Sequence, residues 1–173
     1  MVIFVRFLVI VLLMMILANS VNGSEFYTKW GDYNQYTVTV FSLCIALIEK
    51  DSRGAFTLLK GYGTTQAIVH GVKISVDAVR PNGGRHSFPS AHTSSAFSGV
   101  NYLYKKKGYL YALPALMLAS SVAHSRVRGG YHRFMDVFIG AAIAIGVDEA
   151  FQPVRVLPIA YQDSVGILIS YDY

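Results

Sequence analysis

Cysteine is almost missing from this chain: Cys44 is the only one in 173 residues. No internal disulfide can form, and stability has to come from packing. Set between Leu43 and Ile45, that single thiol reads as a buried structural side chain rather than a reactive one. Charge is also scarce, with 14% Asp, Glu, Lys and Arg together against about a quarter in an ordinary soluble domain. Internal repeats and low-complexity tracts are absent, as is any nucleic-acid-binding motif, so nucleic acid is not read as a partner. Apolar runs of bilayer-spanning length are lacking beyond the N-terminus, since most later stretches fall short of the ~20 residues a spanning helix needs.

What is present is apolar. The chain is 53% hydrophobic with a mean hydropathy of +0.41, which favours contact with a membrane, and its net charge of +5 suits anionic substrates or anionic lipid surfaces. Part of that charge is the run Lys105-Lys106-Lys107. At the N-terminus Arg6 precedes an apolar run, Phe7 to Ala18, that gives way to small and polar residues, the pattern of a signal peptide ending near Ser20 or Gly23. The competing reading is an uncleaved membrane anchor. A domain then runs over 24–152, and a tail over 153–173.

Within the domain an aromatic segment with Trp30, Tyr33 and Tyr36 reads as an interfacial or packed arm. Five apolar stretches follow: Thr37 to Ile48, Ala55 to Val72, Pro89 to Tyr104, Tyr109 to His124 and Phe134 to Val147. Their length and Ala/Leu content predict helices. The tail is rich in β-branched and aromatic residues with a turn near Gln162-Asp163, which predicts a β-hairpin. The expected architecture is an all-α helical bundle with a short C-terminal hairpin.

Three short blocks carry the chemistry. The first is Lys73 with Arg80-Pro81, the second Pro89-Ser90-Ala91-His92, and the third Ser125-Arg126 followed by His132 and Asp136. Lys73, Arg80 and Arg126 supply positive charge for phosphate oxygens, the arginines with a fork that takes two oxygens at once. Pro81 stiffens the chain after Arg80. Pro89 and Ser90 open a helix whose first amides, at Ser90, Ala91 and His92, point toward an anion. His132 and Asp136, four apart, share a helix face, so Asp136 can accept from one ring nitrogen and leave the other free to attack. His70 and His124 read as satisfied core histidines. Arg85, His86 and Arg128 either shape the pocket mouth or stand exposed.

The combined pattern K-x6-R-P, P-S-[G/A]-H and S-R-x5-H-x3-D resembles the type 2 phosphatidic acid phosphatase (PAP2) superfamily, which also holds the class A acid phosphatases and vanadium haloperoxidases. The resemblance implies that His132 is a nucleophile forming a phosphohistidine and that His92 is the general acid and later the base. Asp136 would orient His132, and Lys73, Arg80, Ser90, Ala91 and Arg126 would hold phosphate without metal or cofactor. The family usually has glycine where Ala91 stands, and alanine keeps the amide N–H. The implied function is an exported or envelope phosphatase acting on phosphate monoesters or pyrophosphates of lipids, such as polyprenyl pyrophosphate, phosphatidate, phosphatidylglycerol phosphate or lipid A. Competing readings are a phosphatase for small soluble phosphoesters, a vanadate-dependent haloperoxidase, and a non-catalytic envelope protein. The order of the motif blocks along the apolar segments also resembles the six-helix membrane members of the superfamily, which keeps integral insertion open.

Overall fold

The computed structural model describes residues 24–151, 154–161 and 164–171. The expected leader and the expected turn at Gln162-Asp163 lie outside the described residues. Among the described residues seven helices follow in order: α1 Ser24–Asn34, α2 Thr37–Ile48, α3 Ser52–Val76, α4 Ala91–Phe97, α5 Val100–Lys107, α6 Tyr109–Arg128 and α7 Phe134–Ala150. The expected predominance of helix holds. At the C-terminus β1 (Val154–Tyr161) pairs antiparallel with β2 (Ser164–Tyr171), in a register running from Val154 opposite Tyr171 to Tyr161 opposite Ser164.

Short α4 lies at the centre, packed by α3, α6 and α7. Its side chains are small and hydroxylated, and Thr93, Ser94, Ser95 and Ser98 are all buried. Such groups are tolerated inside only when bonded: Gln66 Nε2 donates to Ser95 Oγ at 3.0 Å, and Ser98 Oγ to Ser94 O at 2.9 Å. The apolar core flanks this polar axis, with Val38, Leu58, Phe97, Leu103, Leu118 and Val122 among its members.

The stretch expected as one helix from Pro89 to Tyr104 is two. Gly99, at φ 93°, breaks it between α4 and α5. Thr39 Oγ1 donates to Ser98 O at 2.7 Å, Ser42 Oγ to Gly99 O at 3.1 Å, and Gly99 N to Asp148 Oδ2 at 3.3 Å, so α2 and α7 satisfy the freed backbone. A Cβ on Gly99 would stand 2.8 Å from Ser42 Oγ and 3.3 Å from Thr39 Cα. Close packing therefore requires glycine here, beyond its positive φ.

Three further expectations are corrected. Cys44 is exposed rather than buried, because its side of α2 faces outward in a groove with Tyr33, Val40 and Phe41. His70 and His124 are likewise at the surface, His124 Nδ1 lying 2.8 Å from the Tyr27 hydroxyl. The lysine run is not a free cationic patch, since Lys105 pairs with Glu149, Lys106 with Asp51 and Lys107 with Glu49. As the run lengths lead one to expect, among the described residues no helix is long and apolar enough to cross a membrane.

Candidate active site

The three motif blocks meet at one end of the bundle. Lys73 stands in the last turn of α3, which Asp77 ends in the left-handed conformation (φ 44°) with its N–H on Lys73 O. Asp77 also pairs with Arg85 and, at 3.0 Å, with His86 Nδ1. This clasp folds the following loop back, so that buried Lys73 Nζ donates to His86 O at 2.7 Å. Arg80 is braced by donating from Nε to Arg85 O at 3.0 Å, and Asn82 N donates to Gly130 O at 3.0 Å, tying the first block to the third.

Ser90 is the N-cap of α4 and accepts from Thr93 N and Oγ1. Its own amide donates to Asp136 O at 2.9 Å, so that N–H, expected to face an anion, is spent on joining the second block to α7. Ala91 begins the helix proper, and it is not among the residues of positive φ. Alanine therefore carries no backbone strain where the family usually has glycine. Gly140 makes the approach possible, because a Cβ there would lie 2.6 Å from Ser90 O.

In the third block Arg126 lies in the last turn of α6, so this helix runs past the His124 end expected for it. The chain turns after it, with Tyr131 N and His132 N both donating to Arg126 O. The guanidinium groups of Arg80 and Arg126 lie 5.8 and 5.5 Å from the Tyr131 ring centroid, which places the two cations around one aromatic side chain.

His132 is 2% exposed and Asp136 4%. Their Nδ1 and Oδ2 are 3.6 Å apart, too far for a hydrogen bond, and His132 Nδ1 has no bonded partner among the described residues. Asp136 Oδ2 instead accepts from Ser87 Oγ at 2.5 Å and from Arg133 N at 2.8 Å, the latter as part of a capping box that starts α7. The expected Asp136 to His132 bond is thus corrected to an ion-pair distance, since the carboxylate oxygen nearest the ring is already held by two donors. Burial first, then the charges of Lys73 and Arg80, push the imidazole well below its usual range, while Asp136 pulls the other way. His132 is therefore neutral at pH 7. Lys73 is lowered to about 8, again chiefly by burial and then by Arg80.

Helix α1 completes the site, and no motif revealed it. Arg126, 2% exposed, donates from Nη1 to Asp32 Oδ1 at 2.6 Å, from Nε to Ser125 Oγ at 3.1 Å and from Nη2 to Thr28 O. Asp32 Oδ1 also lies 3.0 Å from His92 Nε2. Gly31 permits this docking, for a Cβ there would clash with Ser125 Oγ and the Arg126 guanidinium. The only sequence signal for Asp32 was an acid inside an aromatic segment whose role was open.

Two grooves open beside the cluster. One, of about 730 Å³, runs between α6 and α7, lined by Thr93, Phe97, Val127, Phe134, Val137 and Phe138 among others. The second, polar and about 590 Å³, is formed by α1 residues including Thr28, Lys29 and Asp32 against Arg128 and Tyr131.

A buried histidine beside a carboxylate, with Lys73 and Arg80 acting on its ring and Arg126 sharing Tyr131 with Arg80, gathers the cations that an anion would need. The model of the PAP2 superfamily matches residues 7–151, and the chain belongs to that superfamily as an enzyme of phosphatase type. It is 30% identical over 141 residues to a lipid A 4'-phosphatase of Helicobacter pylori, covering 75% of this chain and 71% of that one. A lipid A 1-phosphatase of the same bacterium is 31% identical over 98 residues, about half of each chain. The crystal structure of Aquifex aeolicus LpxE superposes with a TM-score of 0.66 at 20% identity, covering 80% of this chain and 92% of that one, a likeness of fold.

Proposed function

We propose that this protein is an envelope phosphatase that removes phosphate from a lipid through a phosphohistidine on His132. The observation that carries the reading is His132 beside Asp136, kept neutral first by its burial and then by Lys73 and Arg80. A neutral imidazole has the lone pair that attack requires. Because Nδ1 faces Asp136, Nε2 is the attacking nitrogen. Its bond to phosphorus forms as the bond to the leaving oxygen breaks, and His92 donates a proton to that oxygen. Water, deprotonated by His92, then attacks the phosphohistidine and releases inorganic phosphate. Lys73, Arg80 and Arg126, with the hydroxyl of Ser90 and the amide of Ala91, hold the phosphate oxygens and balance their charge. Phosphate binding draws Asp136 into bonding distance of His132, as catalytic contacts tighten in a loaded site.

A lipid substrate is supported by three features together. The names of the relatives include lipid A phosphatases. The apolar groove is lined in part by Thr93 and Val127, neighbours in sequence of His92 and Arg126. Large apolar side chains, among them Phe56 and Leu59 on α3, Leu113 and Met117 on α6, and Phe134 and Phe138 on α7, stand exposed on the outside, as on surfaces that meet a membrane. The paired lysines of α5 lend no support. The leader reading favours export, to the periplasm or cell envelope.

Phosphate release from a lipid A-type phospholipid and from a water-soluble monoester, compared for wild type and His132→Ala, tests the reading. Wild type is expected to favour the lipid, and His132→Ala to release nothing from either. Preference for the soluble ester points to the alternative of a phosphatase for small phosphoesters, and undiminished release by His132→Ala sinks the mechanism.

A further inference from the structure

Departure of an alcohol from phosphorus needs a proton on the leaving oxygen. The groups facing His92 come from three directions: Asp32 on α1, Arg126 on α6 and Arg80 on the loop after α3. Only one of them is a carboxylate, and it reaches His92 Nε2 at 3.0 Å while also holding Arg126 at 2.6 Å.

We propose that Asp32 is the positioning residue of the general acid: its carboxylate binds His92 Nε2, turns Nδ1 to the leaving oxygen, and favours the protonated form that donates. The inference rests on the phosphohistidine reading. In the first step the His132 Nε2 to phosphorus bond forms and the ester P–O bond breaks. The leaving oxygen keeps the bond's electron pair and takes the proton from His92 Nδ1, and neutral His92 stays paired to Asp32. In the second step the proton of the attacking water returns to His92.

Two histidines of one site need opposite charge states before reaction, and their neighbours differ accordingly. His132 is buried beside Lys73 and Arg80, which favours the neutral ring. Burial and then Arg126 lower His92 as well, and Asp32 is the group that opposes them. Without Asp32, two guanidinium groups would face His92 with no compensating anion, and the acid form would become scarcer still. Asp32 is 45% exposed at its side chain while Arg126 is 2%, so the carboxylate sits at the rim where a leaving group would exit.

The test compares two probes on the full chain: p-nitrophenyl phosphate, whose leaving group departs without a proton, and dodecyl phosphate, whose alcohol cannot. Asp32→Asn is expected to lower kcat on dodecyl phosphate about 10- to 100-fold, and on p-nitrophenyl phosphate less than about threefold. The limb on which activity falls with rising pH should move to lower pH, because the group that raised the His92 pKa is gone. Asp32→Glu should restore part of the alkyl rate, and in a His92→Ala background Asp32→Asn should cost no more than about twofold. Equal losses on both probes with an unmoved pH profile would overturn the proposal, leaving Asp32 only as an anchor for Arg126. Unchanged rates on both would overturn it too. If wild type cleaves neither probe, or if His132→Ala remains active, the underlying phosphohistidine reading fails and takes this inference with it.

Discussion

At the scale of single residues, ionisation sets the working range. Lys73 is lowered to about 8, chiefly because it is buried. A lowered amine pKa means that its positive charge is lost as pH rises through about 8, with the phosphate affinity that depends on it. With p-nitrophenyl phosphate, whose leaving group needs no proton from His92, the pH profile of kcat/KM should therefore fall on an alkaline limb near that value, and the fall should come from KM more than from kcat. Asp148, buried beneath the α4–α5 break, has the opposite problem. Burial raises its carboxyl to about 6 from an ordinary 3.8. Between those two values the folded state binds a proton that the unfolded state does not, so stability declines as pH rises through the window and the loss is complete above about 6. Asp148→Asn should accordingly stabilise the fold at pH 7.5 by about 1–3 kcal/mol and change little at pH 4, as thermal melts at the two pH values would show. Lys73, Arg80, His92, Arg126, His132 and Asp136 were legible as a set because spacing within each block is a local property. Asp32 was not, since its contacts with His92 and Arg126 join segments far apart in the chain and leave no pattern in either.

At the scale of elements, two glycines allow helices to approach closely enough to build the site. Gly140 lets α7 touch the backbone of Ser90, and Gly31 lets α1 lie on Arg126. Gly140→Ala should lower phosphatase activity at least about 10-fold while circular dichroism still reports a helical protein, because the methyl must push α4 and its His92 away from His132. A variant with normal turnover would show that the contact at Ser90 yields more easily than close-packed backbone should. Helix existence was readable from apolar run length, and α2 matches its expected span residue for residue. The division of α4 from α5 was not readable, since Ser98-Gly99 breaks the helix only because Thr39, Ser42 and Asp148 wait from other elements to bond the exposed backbone. The outward turn of Cys44 escaped for a related reason: on a helix apolar over most of its length, composition does not say which side meets solvent.

At the scale of the whole molecule, the active end and the apolar exterior belong to one arrangement. Helices α3, α6 and α7 carry exposed Phe, Leu, Ile and Met side chains, and α6 and α7 also wall the apolar groove that Thr93, next in sequence to His92, helps to line. Mature protein should float with liposomes and resist release by high salt, because apolar contact is not screened as a charged one is. Release by salt alone would show that charge holds it, against the pairing of Lys105, Lys106 and Lys107 with acids. The central claim is covalent chemistry on one nitrogen. Rapid quenching of the enzyme with ³²P-labelled substrate, followed by alkaline peptide mapping, should place an acid-labile label on His132 in wild type and none in His132→Ala. Turnover with no trapped label at any quench time, or label on another residue, would contradict it.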